Sequence, residues 1–381
     1  MNPQSAIHSP QSERLLVRGV NWLGDAVMTT PALQRLREAK PHAHITLLTP
    51  AKLADLWQHH PAVDSVIPFT EKDSLLNIAG RLREGHFTTA LVFPNSPRSA
   101  LEVFLARIPE RVGLARPWRN VLLTNVVRAF PTMQPMRKRS NQEIARLAMM
   151  DDEFPIRSGK GEYDSATHQI HHYLHLAAAL GANPEPLSPH LEVTGSEVSA
   201  VKNRFGARDE VPLFGLNTGA EYGPAKRWPR ERFMAAAVEI QRRTGCHWWI
   251  FGGKADESLA TGIAREIAAA LSGPDGSVRS IAGQTSLREL CAALKACRLV
   301  VTNDTGPMHV AAAVGTPVIV PFGSTSPELT GPGQPGDDRH RLLKATAPCA
   351  PCFLRECPID FRCMKSISVE SVVEAALSIV R

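Results

Sequence analysis

Four short segments gather the residue types that handle anions and protons. The first, Asn21-Trp22-Leu23-Gly24-Asp25, sits where an apolar strand hands over to a helix. Gly24 lets another backbone or a ligand approach closely. Asp25 falls near a helix N-terminus, where a carboxylate is electrostatically favoured. A lone aspartate there reads first as a helix cap; a functional carboxylate is the alternative. The second segment runs from Asn217 to Pro229 and is the richest. Thr218 and Gly219 offer a hydroxyl and an exposed amide to phosphate oxygens. Lys226 supplies a point charge and Arg227 a planar fork. The third, Phe251–Glu257, combines Gly252 and Gly253 with Asp256 and Glu257, one of which can take a ribose diol; an ordinary turn with an acid at a helix start explains it equally well. The fourth, Thr302–His309, would present the Thr305 hydroxyl and the Gly306 amide at a helix start, an anion site. Asp304 would lie at the bottom of a cleft, and His309 reads as a core histidine. Gly323-Ser324-Thr325-Ser326 could form a similar phosphate-friendly turn.

Two further clusters carry chemistry. Cys349, Cys352, Cys357 and Cys363 are spaced C-x2-C-x4-C-x5-C. Four thiolates suit a tetrahedral structural zinc; reduced packing thiols and, on oxidation, two disulfides are the alternatives, and a reducing compartment disfavours the last. Arg98, Arg107, Arg111, Arg116 and Arg119 form a basic ensemble in the first half. Singly each reads as a solvated charge.

These residues need a scaffold that places loops together. Strand Leu15–Val20, a helix from about Ala26 to Ala39, strand Ile45–Leu48 and strand Ala90–Phe93 open the chain as a parallel α/β unit. Arg107–Arg139 reads as an irregular or partly helical connection. After a helix at Thr167–Leu180 and a proline-rich stretch, the rhythm restarts. It gives strand Leu213–Asn217, helix Arg230–Thr244, strand Trp248–Phe251, helix Ala260–Leu271, helix Leu287–Cys297, strand Leu299–Thr302, a short helix at His309–Val314, strand Pro317–Pro321 and a last apolar helix, Val369–Val380. Two consecutive α/β halves predict two facing nucleotide-fold domains, with ligands outside the carboxyl ends of the strands. No G-x-G-x-x-G or G-K-[ST] fits the first loop, so neither a dinucleotide fingerprint nor a Walker loop is supported.

The 381 residues leave room for two to three domains. With 43% hydrophobic and 21% charged residues the chain is globular, not disordered. A net charge of +6 suits an anionic ligand or a membrane surface. Aromatic residues are only 6%, and no dense basic patch is interleaved with them, so nucleic acid is not the expected partner. No apolar run reaches the ~18 residues that span a bilayer. Met1–Glu13 is polar, which disfavours a secretory signal. The expected location is the cytoplasm.

In sequence the chain resembles the lipopolysaccharide heptosyltransferases of glycosyltransferase family 9. The resemblance rests on NWLGDAVMTTPALQRLR, FPNSPRSALEVFLARIPERVG, NTGAEYGPAKRWPRERF and TNDTGPMHVAAAVGTPVIVPFGSTSP. It implies a GT-B type α/β fold, two facing Rossmann-like domains with a cleft between them. Residues 1–190 would bind the acceptor. Residues 191–368, carrying the cysteine segment 349–363, would bind the ADP-sugar, and helix 369–381 would pack back on the first domain. It further implies inverting transfer of heptose from ADP-heptose to the heptosylated Kdo–lipid A inner core, at the inner face of the inner membrane. Asp25 then corresponds to the general base, Lys226 to the residue steadying the departing diphosphate, and Asp304 to the acid near the donor sugar. Thr218, Gly219, Thr305 and Gly306 would hold the diphosphate; Gly253 with Asp256 or Glu257 would meet the ribose. Asn21, Arg98, Arg116 and Arg119 would face the acidic acceptor. No cofactor is required on this reading, and with no Asp-x-Asp pair for a metal diphosphate, Lys226 and helix N-termini would replace a divalent ion. Rival readings are another GT-B sugar-nucleotide enzyme, such as an epimerase, and a non-enzymatic basic protein.

Overall fold

The structure is a computed structural model describing residues 13–130, 133, 136–149, 156–157, 167–271, 276–345 and 347–380. The polar start read at Met1–Glu13 lies outside them except for Glu13. Along the chain come β1 (Arg14–Arg18), α1 (Leu23–Met28), α2 (Thr30–Ala39), β2 (His44–Pro50), β3 (Ser65–Phe69), α3 (Leu75–Glu84), β4 (Thr89–Val92), α4 (Pro97–Leu105), β5 (Glu110–Leu114) and β6 (Asn125–Val127). Then follow α5 (Asn141–Ala148), β7 (Ile156–Arg157), α6 (Gln169–Ala178), α7 (Gly195–Phe205), β8 (Leu213–Asn217), α8 (Arg230–Thr244), β9 (His247–Phe251), α9 (Glu257–Leu271) and β10 (Val278–Ser280). The chain ends with α10 (Leu287–Ala296), β11 (Leu299–Thr302), α11 (Gly306–Ala313), β12 (Val318–Phe322), α12 (Pro327–Thr330), β13 (Arg341–Ala345), α13 (Arg362–Ser366) and α14 (Val369–Val380).

Two sheets result. The first runs β3-β2-β1-β4-β5-β6 and is parallel throughout. The second runs β10-β9-β8-β11-β12-β13-β7, parallel except for β7 at its edge. Both follow the doubly wound order in which the chain reverses direction once, beside β1 in one sheet and β8 in the other. Loops diverge at that point and leave a crevice at the carboxyl ends of the strands. Strands β4, β8, β11 and β12 are buried along their whole length. This is the pattern of parallel strands covered on both faces. Helix α8 shows the matching helical period: Phe233, Ala236, Ala237 and Ile240 are buried, and Gly245 closes it in the left-handed region at φ 66°.

Residues 13–21, 29–130 and 172–185 make one compact unit; residues 22–28, the described part of 132–171 and residues 186–380 make the other. The chain thus departs from a single boundary at residue 190. The helix expected from Ala26 to Ala39 is in fact two helices meeting at Thr29. Pro31 explains the break, because it lacks an amide for the i−4 carbonyl and its ring crowds the preceding turn. The break lets α1 join the second unit while α2 stays with the first.

The described part of 107–139 holds a short helical turn at Asn120–Leu122, as a partly helical connection would, but also the strands β5 and β6, which the sequence reading did not expect. Arg111 and the charged, proline-rich stretch around it hid β5, and β6 is only three residues long. Arg111 carries its charge off the strand to the carbonyls of Leu122 (2.8 Å) and Ile108 (2.5 Å). Further on, Arg139 bonds the Pro348 carbonyl at 2.7 Å, and Ile144 of α5 is buried in the second unit's core. The last helix forms as expected but lies on α8, β12 and β13 of its own unit. Its Val372, Val373, Ala375 and Ala376 complete that core rather than a face of the first domain.

Candidate active site

The site grows from the crevice between β8 and β11. Asn217 at the end of β8 donates its side-chain amide to the Thr302 hydroxyl at 3.0 Å, tying the two strand ends together. Asn303, fully buried, then latches the loop after β8. Its amide donates to the Thr218 carbonyl at 2.8 Å, and its carbonyl accepts the Trp228 amide at 2.9 Å. Trp228 is anchored in turn by its indole N–H to the Ile367 carbonyl at 3.0 Å. Both ends of the loop carrying Thr218, Gly219 and Lys226 are therefore fixed by one side chain.

Within this frame Lys226 Nζ lies 2.7 Å from Asp304 Oδ2, with side-chain exposures of 15% and 4%. Thr325 donates its hydroxyl to the same carboxylate oxygen at 2.6 Å. The ammonium also sits 5.1 Å from the centre of the Tyr222 ring. Lys226 is thus a held cation, not a mobile surface charge. Beside it α11 begins; its first cap residue, Thr305, bonds no amide with its side chain. The helix start, with no side-chain cap from Thr305, keeps its partial positive charge.

Glycines are demanded where α1 closes on α11. A Cβ on Gly306 would fall 2.9 Å from Leu23 Cβ, and one on Gly24 would fall 2.6 Å from the His309 ring. Asp25 is half-buried in the first turn of α1. It therefore rides on a helix seated against the same α11 that follows Asp304. His309 is buried, and that burial, helped by Lys226 and His340 against the pull of Asp304, holds its pKa down at about 4. Its ring is neutral at pH 7.

The third loop separates two acids that the sequence left interchangeable. Asp256 accepts the Gly253 amide at 3.1 Å, and a Cβ on Gly219 would lie 3.2 Å from its carboxylate. It shapes the loop. Glu257 opens α9 and pairs with the exposed Lys254. The Gly323–Ser326 turn is already spoken for. Ser324, Thr325 and Ser326 are buried, Thr325 serves Asp304, and the Ser324 carbonyl accepts the amides of Cys352 (3.1 Å) and Phe353 (2.8 Å).

Those bonds show what the cysteine segment does. It braces the donor-side loops: Tyr222 donates its hydroxyl to the Phe353 carbonyl at 3.0 Å, and Ala225 its amide to the Arg355 carbonyl at 3.0 Å. Cys349 and Cys363 are buried in the second core, while Cys357 Sγ accepts the Phe361 amide at 3.3 Å. Burial, with the three neighbouring thiols, pushes Cys363 up to about 12. Among the described residues, no group of three or more His, Cys, Asp or Glu side chains is arranged to hold a metal ion. The four thiols are not arranged as a zinc site in this geometry, and none of them is in a disulfide.

A second polar constellation lies in the first unit, at the carboxyl ends of β1, β4 and β5. Arg18 and Glu102 form a buried ion pair at 2.8 Å, and Arg18 also holds Asn21 Oδ1 at 2.9 Å. Arg98 is engaged with Glu102 at 3.4 Å and the Asp73 carbonyl at 3.1 Å. Arg116 is half-buried beside Arg119. Arg119 stands apart from these. It is fully buried and donates to the Pro94 carbonyl at 2.7 Å, but among the described residues its Nε and Nη2 have no hydrogen-bond partner and no acid pairs with it. Burial, with Arg116 nearby, lowers its pKa to about 10, so it remains a cation at pH 7.

Sequence reading singled out the charged residues of these loops but not Asn303, Trp228 and Tyr222 as their supports. Asn303 had a visible signal, since it stands directly before Asp304 at a strand end.

Two Rossmann-like units, one with a lysine–aspartate pair and an open helix start at its switch point, define a GT-B type sugar-nucleotide enzyme. A family model for Glycosyltransferase family 9 (heptosyltransferase) matches residues 75–361. The chain is 32% identical over 327 residues to lipopolysaccharide heptosyltransferase 2 of Escherichia coli K12, covering 84% of this chain and 85% of that protein. It is 31% identical over 333 residues to lipopolysaccharide heptosyltransferase 2 of Salmonella typhimurium, covering 84% and 85%. The solved structure of E. coli ADP-heptose LPS heptosyltransferase II superposes with a TM-score of 0.74 and 27% identity, covering 96% of this chain and 98% of that one. The protein belongs to glycosyltransferase family 9, the heptosyltransferases, and is a glycosyltransferase.

Proposed function

We propose that the protein transfers heptose from ADP-L-glycero-D-manno-heptose to the heptosylated Kdo–lipid A inner core of lipopolysaccharide, with inversion at the anomeric carbon. The observation that carries this reading is the Lys226–Asp304 pair, 2.7 Å apart at the β8/β11 switch point of a family 9 chain. Thr218, Gly219, Thr305 and Gly306 hold the donor diphosphate. Gly253 admits the nucleoside, Glu257 takes the ribose diol, and Asp256 shapes the loop. Asp25 accepts the proton of the acceptor hydroxyl as its oxygen bonds to the anomeric carbon. The bond from that carbon to the β-phosphate oxygen breaks, and ADP departs with the electron pair. Lys226 and the α11 start stabilise the charge that grows on it. Asp304 keeps Lys226 aimed until the donor arrives and then lies beside the heptose.

These fixed positive charges do the work of a divalent ion, so EDTA should leave transfer intact. The acceptor carries carboxylates and phosphates, and the unpaired cation of Arg119 supports its binding in the first unit, with Arg116, Arg98 and Asn21 around it. A buried charge without a partner is costly, and an anionic ligand relieves that cost. The reaction belongs on the cytoplasmic side, at the inner face of the inner membrane; no described helix is long and apolar enough to cross a membrane. The decisive experiment offers the purified protein ADP-heptose and a mono-heptosylated Kdo–lipid A. Heptose transfer with release of ADP is expected. No transfer with this pair, together with turnover of a UDP-sugar, would overturn the assignment.

A further inference from the structure

One exposed apolar tip in the first unit is used by neither the core nor the site. Trp118 is 91% exposed and Val121 is 83% exposed. Val126, on the sheet's edge strand β6, is also exposed. Water gives no reason to keep these side chains outside. The tip is built rather than loose. Trp118 holds a left-handed backbone at φ 66°, a conformation a bulky side chain adopts only when its surroundings impose it. The loop is closed by the Leu122 amide to the Arg119 carbonyl at 2.9 Å, and by the Arg116 amide to Asn120 Oδ1 at 2.9 Å. The next residue, the buried Arg119, fastens the loop to Pro94.

The charge along the tip's own stretch of chain has one sign. From Ala115 to Pro131 the chain contains Arg116, Arg119 and Arg128 and no aspartate or glutamate. Leu114 pairs with Val127, and Ala115 donates its amide to Val127, so Arg116 and Arg128 emerge at the same end of neighbouring strands. A rigid, outward tryptophan bordered by arginines matches the boundary of an anionic bilayer. There an indole sits at headgroup depth and arginines meet lipid phosphates. A protein partner would need a broader apolar face than one tryptophan and two valines.

We propose that the Trp118–Val121 tip, with Arg116 and Arg128, docks the first unit on an anionic membrane surface. The tip shares its sheet end with Arg119, so docking would bring the acceptor-binding face to the lipid in which the acceptor is anchored. That benefit rests on the function proposed above; the docking itself does not.

The test is co-sedimentation of the full chain with phosphatidylcholine vesicles, with and without phosphatidylglycerol, at low and physiological salt. Binding to the anionic vesicles is expected, weakening as salt rises. The double variant Trp118→Ser/Val121→Ser should bind at least about fivefold more weakly, and Arg128→Gln should lose part of the salt-sensitive component. With a deacylated, water-soluble acceptor the double variant should turn over like the parent; with the acceptor embedded in vesicles it should be at least about fivefold slower. Equal binding of parent and double variant, or no preference of the parent for anionic vesicles, overturns the proposal. So does a concentration-dependent dimer in vesicle-free buffer that the double variant abolishes, since a second copy would then cover the tip. Failure of the parent to use the soluble acceptor would count against the proposed function and leave vesicle binding to be judged separately.

Discussion

Asp25 and Lys226 carry opposite halves of the proposed transfer, and substitutions separate them. Asp25→Asn keeps size and hydrogen bonding but removes the base. Turnover should fall roughly a hundredfold or more, with donor affinity little changed. Retention of above about a tenth of the parent rate would return Asp25 to being a helix cap. Lys226→Ala removes the charge that faces the leaving diphosphate and also strips Asp304 of its cation. Because the leaving charge grows in the transition state, kcat should drop at least as much as the donor KM rises. A raised KM with unchanged kcat would make Lys226 a binding residue only. In the sequence Lys226 stood out in a loop crowded with specialised residues, whereas Asp25 read first as a helix cap and drew its role as base from the family resemblance. Asn303 did not stand out, because an asparagine shows its worth only through its partners. Here these are backbone groups of Thr218, 85 positions away, and of Trp228. Arg119 was read as one charge among several; only burial without a counter-ion sets it apart.

Helices α1 and α11 depend on two glycines that leave no room for a methyl group. Gly24→Ala would drive a Cβ to 2.6 Å from the His309 ring, itself buried and unable to swing away into solvent. The expected result is a shift of α1 and with it of Asp25. Turnover should fall by tenfold or more, in keeping with the sensitivity of catalysis to misplacement of about an ångström. Donor binding, measured by calorimetry with ADP, should change little. A fully active variant would show that the seat of α1 on α11 does not position the base. Periodicity revealed most elements of the second unit, with β8, α8, β11 and α14 falling on their expected bounds. It failed at Pro31, whose effect is to part a helix, at β5, where Arg111 masks a five-residue strand, and at β6, which is too short at three residues to show a period. It was also silent on where α14 packs, because an apolar stripe states that a face is buried and not against what.

At the scale of the whole molecule, two buried histidines give stability a definite pH dependence. His309 and His340 each have a pKa lowered from 6.5 to about 4. For His309 burial leads, with Lys226 and His340 adding to it and Asp304 opposing. For His340 burial again leads, opposed by Asp337 and aided by Arg339 and Arg341. Between those two pKa values the unfolded chain binds two protons that the native chain refuses. Stability must therefore rise with pH across this window, be complete above 6.5, and be lost as pH falls towards 4. At about 1.4 kcal/mol per pH unit, each histidine removes roughly 2 kcal/mol by about pH 5. Carboxylates act lower down. Glu197, held at about 2 chiefly by its hydrogen bonds from Arg288, begins to add to the loss only below its ordinary value of 4.5. Urea unfolding at several pH values between about 7.5 and 5 reads this directly. His340→Gln should be less stable at neutral pH, because Val318 loses the ring nitrogen that accepts its amide, yet should show a flatter slope below pH 6.5. That divergence distinguishes titration from simple loss of packing, which would lower stability by the same amount at every pH. A parent whose unfolding free energy stays constant from about pH 7.5 to 5 would show that neither histidine is held neutral by the fold.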